Sequence, residues 1–482
     1  MKFEQKSKRV FVILTYLLVS VLSAKAQMNM VFYPMEDQIN SPGFNPAFLT
    51  SQNKYSLGIF PLTGMNVGYN NQLVIKNMLL KILNGQQTND DYKEVFNSMI
   101  KLDLFYQRME NTILNVGYNS DFGSFDFRVK ENMQLMTDLK GEFSEFLTNP
   151  SSQSILINKP QMFPAQALHY REYSLGYARE IVKDRLSVGV RAKIYFGKFS
   201  VSSDVQGEIV KSSNDIYLQV QNQLKLSFPM NIITDKDGLL SSVESVADFS
   251  IGKYLTNSKN IGAGFDIGLT YKITPDFIFS ASAVDVGKIN WKSNLNRMTF
   301  NGQYKFPAEF IVSSDDNTIT KNSGFSNETK EFNELYKIKI DESSYSTQMP
   351  VNFYTGLKYR IDTKLTVSVV DRLISGQSMS LNSISATGIY DIKKNLSLST
   401  GFAILGNSYL NMPFALLYNG KAGQYYIGMD NLLSMIVPSS AEFSGMTFGM
   451  CFFLFRSKTK YKEQLEYLPF YLEKKSNLGS AN

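Results

Sequence analysis

Long stretches of the chain alternate apolar and polar residues with a period of two, and this pattern limits the possible folds more than any other feature. A strand turns successive side chains to opposite faces, so period two marks strands with two unlike faces. Leu186, Val188, Val190, Ala192, Ile194 and Phe196 share one face, opposite Ser187, Gly189, Arg191, Lys193, Tyr195 and Gly197. Phe265, Ile267, Leu269 and Tyr271 alternate with Asp266, Gly268, Thr270 and Lys272. Phe353, Leu357 and Tyr359 alternate with Gly356, Lys358 and Arg360. Near the C-terminus Met446, Phe448, Met450 and Phe452 oppose Gly445, Thr447, Gly449 and Cys451.

Two all-β architectures use such strands. In a soluble sandwich the apolar face is a core. In a membrane barrel it meets lipid, and the polar or small face lines the lumen. Strands of about 10 or more residues fit a tilted membrane crossing. Tyr173, Tyr177, Tyr271, Phe277, Tyr359, Tyr425 and Tyr426 fall near strand ends, where aromatic girdles sit. Short turns at Lys183-Asp184, Thr274-Pro275-Asp276, Asp362-Thr363-Lys364, Lys393-Lys394-Asn395 and Gly420-Lys421-Ala422-Gly423 alternate with long polar connections over 229–258 and 307–348. The pattern predicts an all-β fold: a transmembrane antiparallel β-barrel of about 14 strands with short helical inserts. The barrel is expected over 54–455, with helical periodicity near 73–109 and 131–148.

The N-terminus reads as an address. Residues 1–26 combine a basic start, an apolar run over 10–22 and Ala24-Lys25-Ala26, with cleavage expected between Ala26 and Gln27. This segment carries a net +4 of the chain's +6, so the charge balance supports no nucleic-acid partner. Residues 27–53 then form an N-terminal segment before the first strand, and 456–482 a basic tail expected in the periplasm.

Little catalytic chemistry is available. One Cys and one His exclude a disulfide framework and an ordinary Cys/His zinc site. His169 opens a strand and reads as a rim or girdle residue. Gly262-Ala263-Gly264-Phe265-Asp266-Ile267-Gly268 lies in a strand and precedes no helix, so it is no dinucleotide loop. No enzyme activity, cofactor or metal is expected. Arg191, Lys193, Asp266, Lys272, Lys358 and Arg360 are candidate lumen charges, lining a channel or closing it as a salt-bridge network.

Ser41-Pro42-Gly43-Phe44-Asn45-Pro46-Ala47 shortly after the leader resembles the start of FadL-type outer-membrane transporters and of PorV-like barrels of type IX secretion. Tyr170-Arg171-Glu172-Tyr173-Ser174-Leu175-Gly176-Tyr177, the run 185–197, the segment 284–291 and Tyr425-Tyr426-Ile427-Gly428-Met429-Asp430-Asn431 resemble an outer-membrane barrel family of unknown function from type-IX-secreting bacteria. The resemblance implies a location in the cell outer membrane of a Gram-negative bacterium. It also implies a hatch in the lumen containing Asn45, Pro46 and Ala47, and passage or binding of a small hydrophobic molecule. The alternative is an assembly platform for surface or type IX secretion partners. The helical inserts depart from the FadL pattern.

Overall fold

A computed structural model describes residues 30–52, 55–70, 104–138, 165–211, 215–234, 236, 240–246, 248–307, 337–376, 380–405, 408–433 and 443–454. The leader 1–26 with its cleavage point at Ala26 and Gln27, and the tail 456–482, lie outside the described residues.

The strands in chain order are β1 (Tyr55–Ile59), β2 (Met65–Asn70), β3 (Leu104–Ser120), β4 (Gly123–Asp138), β5 (Ala165–Val182), β6 (Leu186–Lys211) and β7 (Asp215–Ser227). There follow β8 (Met230–Thr234), β9 (Leu240–Ser245), a short helix α1 (Ile251–Leu255), β10 (Asn260–Lys272), β11 (Phe277–Trp291), β12 (Leu295–Pro307), β13 (Lys337–Asp341) and β14 (Tyr345–Gln348). The rest are β15 (Val351–Arg360), β16 (Leu365–Ser375), β17 (Ser380–Lys393), β18 (Leu396–Leu405), β19 (Ser408–Asn411), β20 (Phe414–Asn419), β21 (Gly423–Met429) and β22 (Phe443–Phe453).

They close into an antiparallel barrel of 14 staves, several built from two consecutive pieces. β1 and β2 form one broken stave that pairs with β3 on one side and with β22 on the other, which shuts the ring. A closed ring leaves no unpaired backbone edge, the condition for strands to sit in lipid. The five short turns lie at one end of the barrel and the long connections at the other.

The alternation sorts side chains as the sequence suggests. Leu175, Val190, Ile194, Phe265, Ile267, Phe353, Leu357, Val369, Phe402 and Phe448 point outward and are exposed. An exposed apolar band of this extent marks a lipid-facing surface. Exposed Tyr118, Tyr271, Tyr359, Tyr390, Tyr418 and Tyr425 ring the turn end as a girdle. Tyr426 is not in the girdle. Its neighbour Tyr425 takes the outward place, and Tyr426 is buried in the lumen. Toward the loop end the outward face becomes charged, where Arg171 Nε meets Glu131 Oε2 at 2.6 Å.

The helical expectation is corrected where it overlaps described residues. Residues 104–109 belong to β3 and 131–138 to β4, while 73–103 and 139–148 lie outside the described residues. The Leu135, Leu139, Phe143 spacing fits a helix. The backbone at Leu135, however, is held by ladders to β3 and β5 on both sides. Inside a barrel wall that pairing decides, because lipid offers no partner to free N–H and C=O groups.

The long connections also carry structure. The outer part of β6, 200–211, runs past the rim and pairs with β7, which pairs with β12, which pairs with β13. This four-stranded sheet stands on the loop end. Within 229–258, β8 and β9 form a hairpin and α1 follows, while β13 and β14 occupy part of 307–348. His169 lies beneath α1, its Nδ1 2.6 Å from Tyr254 Oη and its Nε2 2.9 Å from Glu131 Oε1. It is a buried anchor for the connection against the outer wall.

Val190 faces outward near the middle of the apolar band. Val190→Lys is expected to destabilise the barrel by about 2–4 kcal/mol, measured by reversible unfolding from lipid bilayers. Unchanged stability would show that this face does not meet lipid.

Candidate functional site

The N-terminal segment fills the lumen. Three short 3-10 turns, Met30–Phe32, Ser41–Gly43 and Pro46–Ser51, fold it into a compact plug. The composition explains why it goes inside. Met30, Val31, Phe32, Tyr33, Met35, Ile39, Phe48 and Leu49 are nearly fully buried, as are the polar Gln38, Ser41 and Asn45.

Asn45 and Pro46 start the third turn. Pro46 occupies a first helical position, where its missing N–H is not needed, and Asn45 Oδ1 caps the turn by accepting from Ala47 N at 3.0 Å. Asn45 Nδ2 donates to the carbonyls of Leu269 on β10 (3.1 Å) and Ala281 on β11 (3.3 Å). Two inward-facing glycines make this approach possible. A Cβ on Gly268 would collide with the Asn45 carboxamide, and one on Gly189 with the Pro46 backbone. Only glycine lets backbone and wall come so close.

The plug is held differently on its two sides. Toward β3–β6, β10 and β11 the contact is ionic. Asp126 on β4 pairs with Arg128 on the same strand and accepts from Arg191 Nη2 on β6 at 2.8 and 3.0 Å. Both arginines then grip the plug backbone. Arg128 donates to the carbonyls of Ile39 (3.2 Å) and Asn40 (3.5 Å), and Arg191 to that of Pro42. Arg191 Nη1 also reaches Asp266 Oδ2 at 3.4 Å. Lys193 Nζ lies 2.8 Å from Asp266 Oδ1, 2.6 Å from Asp285 Oδ1 and 3.7 Å from Glu172 Oε2. Nearby, Glu110 accepts from Lys130 at 2.7 Å and Arg108 at 3.0 Å.

One β-bulge focuses this cluster. The β10–β11 register shifts between Phe265 and Ile267, and Asp285 has φ 67°, the left-handed region that Asp tolerates better than most residues. The bulge turns the Asp285 carboxylate inward, and its N–H donates to Asp266 Oδ1 at 2.8 Å. Asn352 Nδ2 donates to Asp285 Oδ2 at 3.1 Å, and Arg372 Nη2 to Asn352 Oδ1 at 2.6 Å. Removing one partner from such a buried pair costs about 3–5 kcal/mol, because the other charge stays buried and uncompensated.

Toward β16–β18 the contact is apolar. Val370, Ile374, Leu381, Ala403 and Leu405 face inward and cluster with Met30, Tyr33 and Phe48 of the plug. Tyr33 stacks on Tyr354 at 5.1 Å and meets Phe48 edge-on at 5.2 Å. At the turn end, Lys358 pairs with Glu36, and Asp37 accepts from Asn419 Nδ2 at 2.8 Å. Burial raises the Asp37 carboxyl from its ordinary value, against that bond and the nearby Lys358 charge.

Of the candidate lumen charges, Arg191, Lys193 and Asp266 therefore meet in one buried cluster, and Lys358 meets the plug. Lys272 and Arg360 do not join them. Both stand at the turn end of their strands, where Lys272 N donates to Arg185 O and Arg360 N to Asp276 O. Sequence reasoning missed Arg108, Glu110, Asp126, Arg128, Lys130, Glu172 and Asp285. The signal for part of this set was present: Asp126, Arg128 and Lys130 alternate with Phe125, Phe127 and Val129. Among the described residues no cluster of metal-binding side chains occurs.

These features define a membrane β-barrel whose lumen is filled by its own N-terminal segment. The chain belongs to DUF5723, a family of unknown function, which matches residues 46–430. No curated protein matches it. Among solved structures it is similar to the Ralstonia pickettii toluene transporter TbuX, at 10% identity and TM-score 0.33, over 86% of this chain and 96% of that one. It is similar to the P. putida toluene transporter TodX at 11% identity and TM-score 0.30, over 84% and 90%. A Pseudomonas aeruginosa FadL homologue is similar at 9% identity and TM-score 0.36, over 86% and 93%.

Gly189→Val is expected to unseat the Asn45-Pro46 corner. Cys451 reports this, because it is buried in one cluster with Val31, Met35 and Ile39 of the plug. A charged maleimide should label Cys451 in the variant and not in the parent. A folded Gly189→Val barrel with unlabelled Cys451 would refute the close-approach argument.

Proposed function

We propose that this chain is an outer-membrane barrel of a Gram-negative cell that binds or passes a small hydrophobic molecule, with the plug as its hatch. Short turns would then face the periplasm and long loops the exterior. The observation that carries the reading is the apolar patch of Val370, Ile374, Leu381, Ala403 and Leu405 on the inner wall of β16–β18, which packs with Met30, Tyr33 and Phe48 of the plug. Inward Arg372, Ser383 and Ser385 border this patch. A water-filled pore has a polar lining throughout. Asn45, Pro46 and Ala47 serve as the hatch corner seated on Gly189 and Gly268.

Uptake of radiolabelled naphthalene by cells expressing the chain tests the proposal. Val370→Asp with Leu405→Asp should reduce uptake at least tenfold, and deletion of 30–52 should alter it. Uptake indifferent to both changes would overturn the reading.

A second reading is an assembly platform for a surface or type IX secretion complex. The sheet of β6, β7, β12 and β13 beyond the rim supports it, because a barrel needs no such extension to close. It predicts partners that co-purify in native detergent extracts, and a solitary monomer would remove it.

A further inference from the structure

On the outer wall of β10 and β11 the apolar band ends at a row of lysines. Outward Phe265, Ile261 and Val286 give way toward the loop end to exposed Lys288, Asn290 and Lys292, with exposed Lys259 just before β10. Lys288 stands eleven residues beyond Phe277 at the turn end. That is a rise of roughly 28 Å for a strand tilted by about 40°, against an apolar band of about 25 Å. The row therefore lies at the level of lipid head groups. Lys292 N donates to Asn260 Oδ1 at 2.8 Å, which brings it beside Lys259. Lys288 is cross-strand from Gln348, and Asn290 from Ser346, both exposed on β14.

Among the described residues Lys259, Lys288 and Lys292 form no ion pair. The acids Glu131 and Asp341 are taken by Arg171 and Arg297, and Glu342 stands higher, on the β13–β14 turn. The wall of β16 and β17 has no such row. Its outward residues near the loop end are Leu373, Ser375, Ser380 and Asn382, and Asp371 below them is negative. Lysines that only marked a head-group boundary would ring the barrel, as the tyrosines do at the turn end. We propose that this strip binds the phosphate groups of an anionic glycolipid of the outer leaflet. The three ammonium groups, with Asn290, Ser346 and Gln348, hold the head, and the exposed Ile194, Ile261 and Phe265 below them carry the acyl chains. The proposal rests on the orientation given above, with the long loops outside, and not on hydrophobic passage.

Retention of a diphosphorylated acyl-disaccharide glycolipid by the full-length barrel, washed in neutral detergent, tests this. The variant with Lys259→Ser, Lys288→Ser and Lys292→Ser should remain a heat-modifiable barrel and retain at least tenfold less than the parent. Lys364→Ser, Lys393→Ser and Lys394→Ser remove the same charge from exposed places at the turn end, and should leave retention at the parent's level. Parental retention by the first variant, an equal loss in both, or equal retention of the dephosphorylated glycolipid overturns the strip. So does displacement of the glycolipid by inorganic phosphate alone, which marks a free-ion site. A charged maleimide on intact cells keeps the readings apart, with Ser346→Cys expected to label without lysis. Labelling only after lysis overturns the orientation and the strip with it. Labelled cells with weak retention overturn the strip alone. Parental retention with naphthalene uptake indifferent to the plug overturns hydrophobic passage alone and supports the strip.

Discussion

Asp126 is shared by two arginines, and both arginines hold main-chain carbonyls of the plug. A lone carboxylate or guanidinium at this depth is costly to bury without a partner. The wall charges therefore need one another, and the two guanidinium groups need acceptors beyond Asp126. The plug carbonyls supply them. Arg108, Arg128, Lys130, Arg191 and Lys193 pair directly with Glu110, Asp126, Glu172, Asp266 and Asp285, and Arg372 joins them through Asn352.

Much of the barrel was legible because its rule is local. Period two over 186–197 fixed which residues of β6 face in, and Lys183-Asp184 and Thr274-Pro275-Asp276 fixed where strands turn. Bulges break that rule. In β3 the register shifts between Thr112 and Leu114, so Arg108 and Glu110 face inward on even numbers while Asn115 and Gly117 do so on odd ones. No single alternation runs through β3, and its first turns were read as helix. Adjacent Tyr425 and Tyr426 show the same limit: composition cannot say which of two neighbouring tyrosines faces lipid until the register to β20 and β22 is set.

The ionic cluster was half legible for the same reason. Arg191, Lys193 and Asp266 are polar residues in otherwise apolar strands, so their inward direction follows from their neighbours. Asp285 sits between Val284 and Val286 in a bulge, and simple alternation carried across it loses the inward face. Glycines carried a further signal that alternation alone cannot decode. Gly189 and Gly268 occupy inward places where any side chain would satisfy the pattern, yet each is a socket for Pro46 or Asn45. Only a lumen filled by another segment explains why both positions lack a side chain.

The two sides of the plug differ in how they respond to displacement. Charge-assisted hydrogen bonds from Arg128 and Arg191 depend on distance and angle, and weaken steeply when the carbonyls of Ile39, Asn40 or Pro42 shift. The contact with Val370, Ile374, Leu381 and Leu405 is non-directional, so a shift that keeps apolar area covered changes its energy little. Asn45 lies on the rigid side, bonded to the carbonyls of β10 and β11. Tyr33 and Met30 lie on the slippery side. The Met30–Tyr33 end is therefore held by contacts that tolerate a shift, and the Asn45 corner by hydrogen bonds that do not.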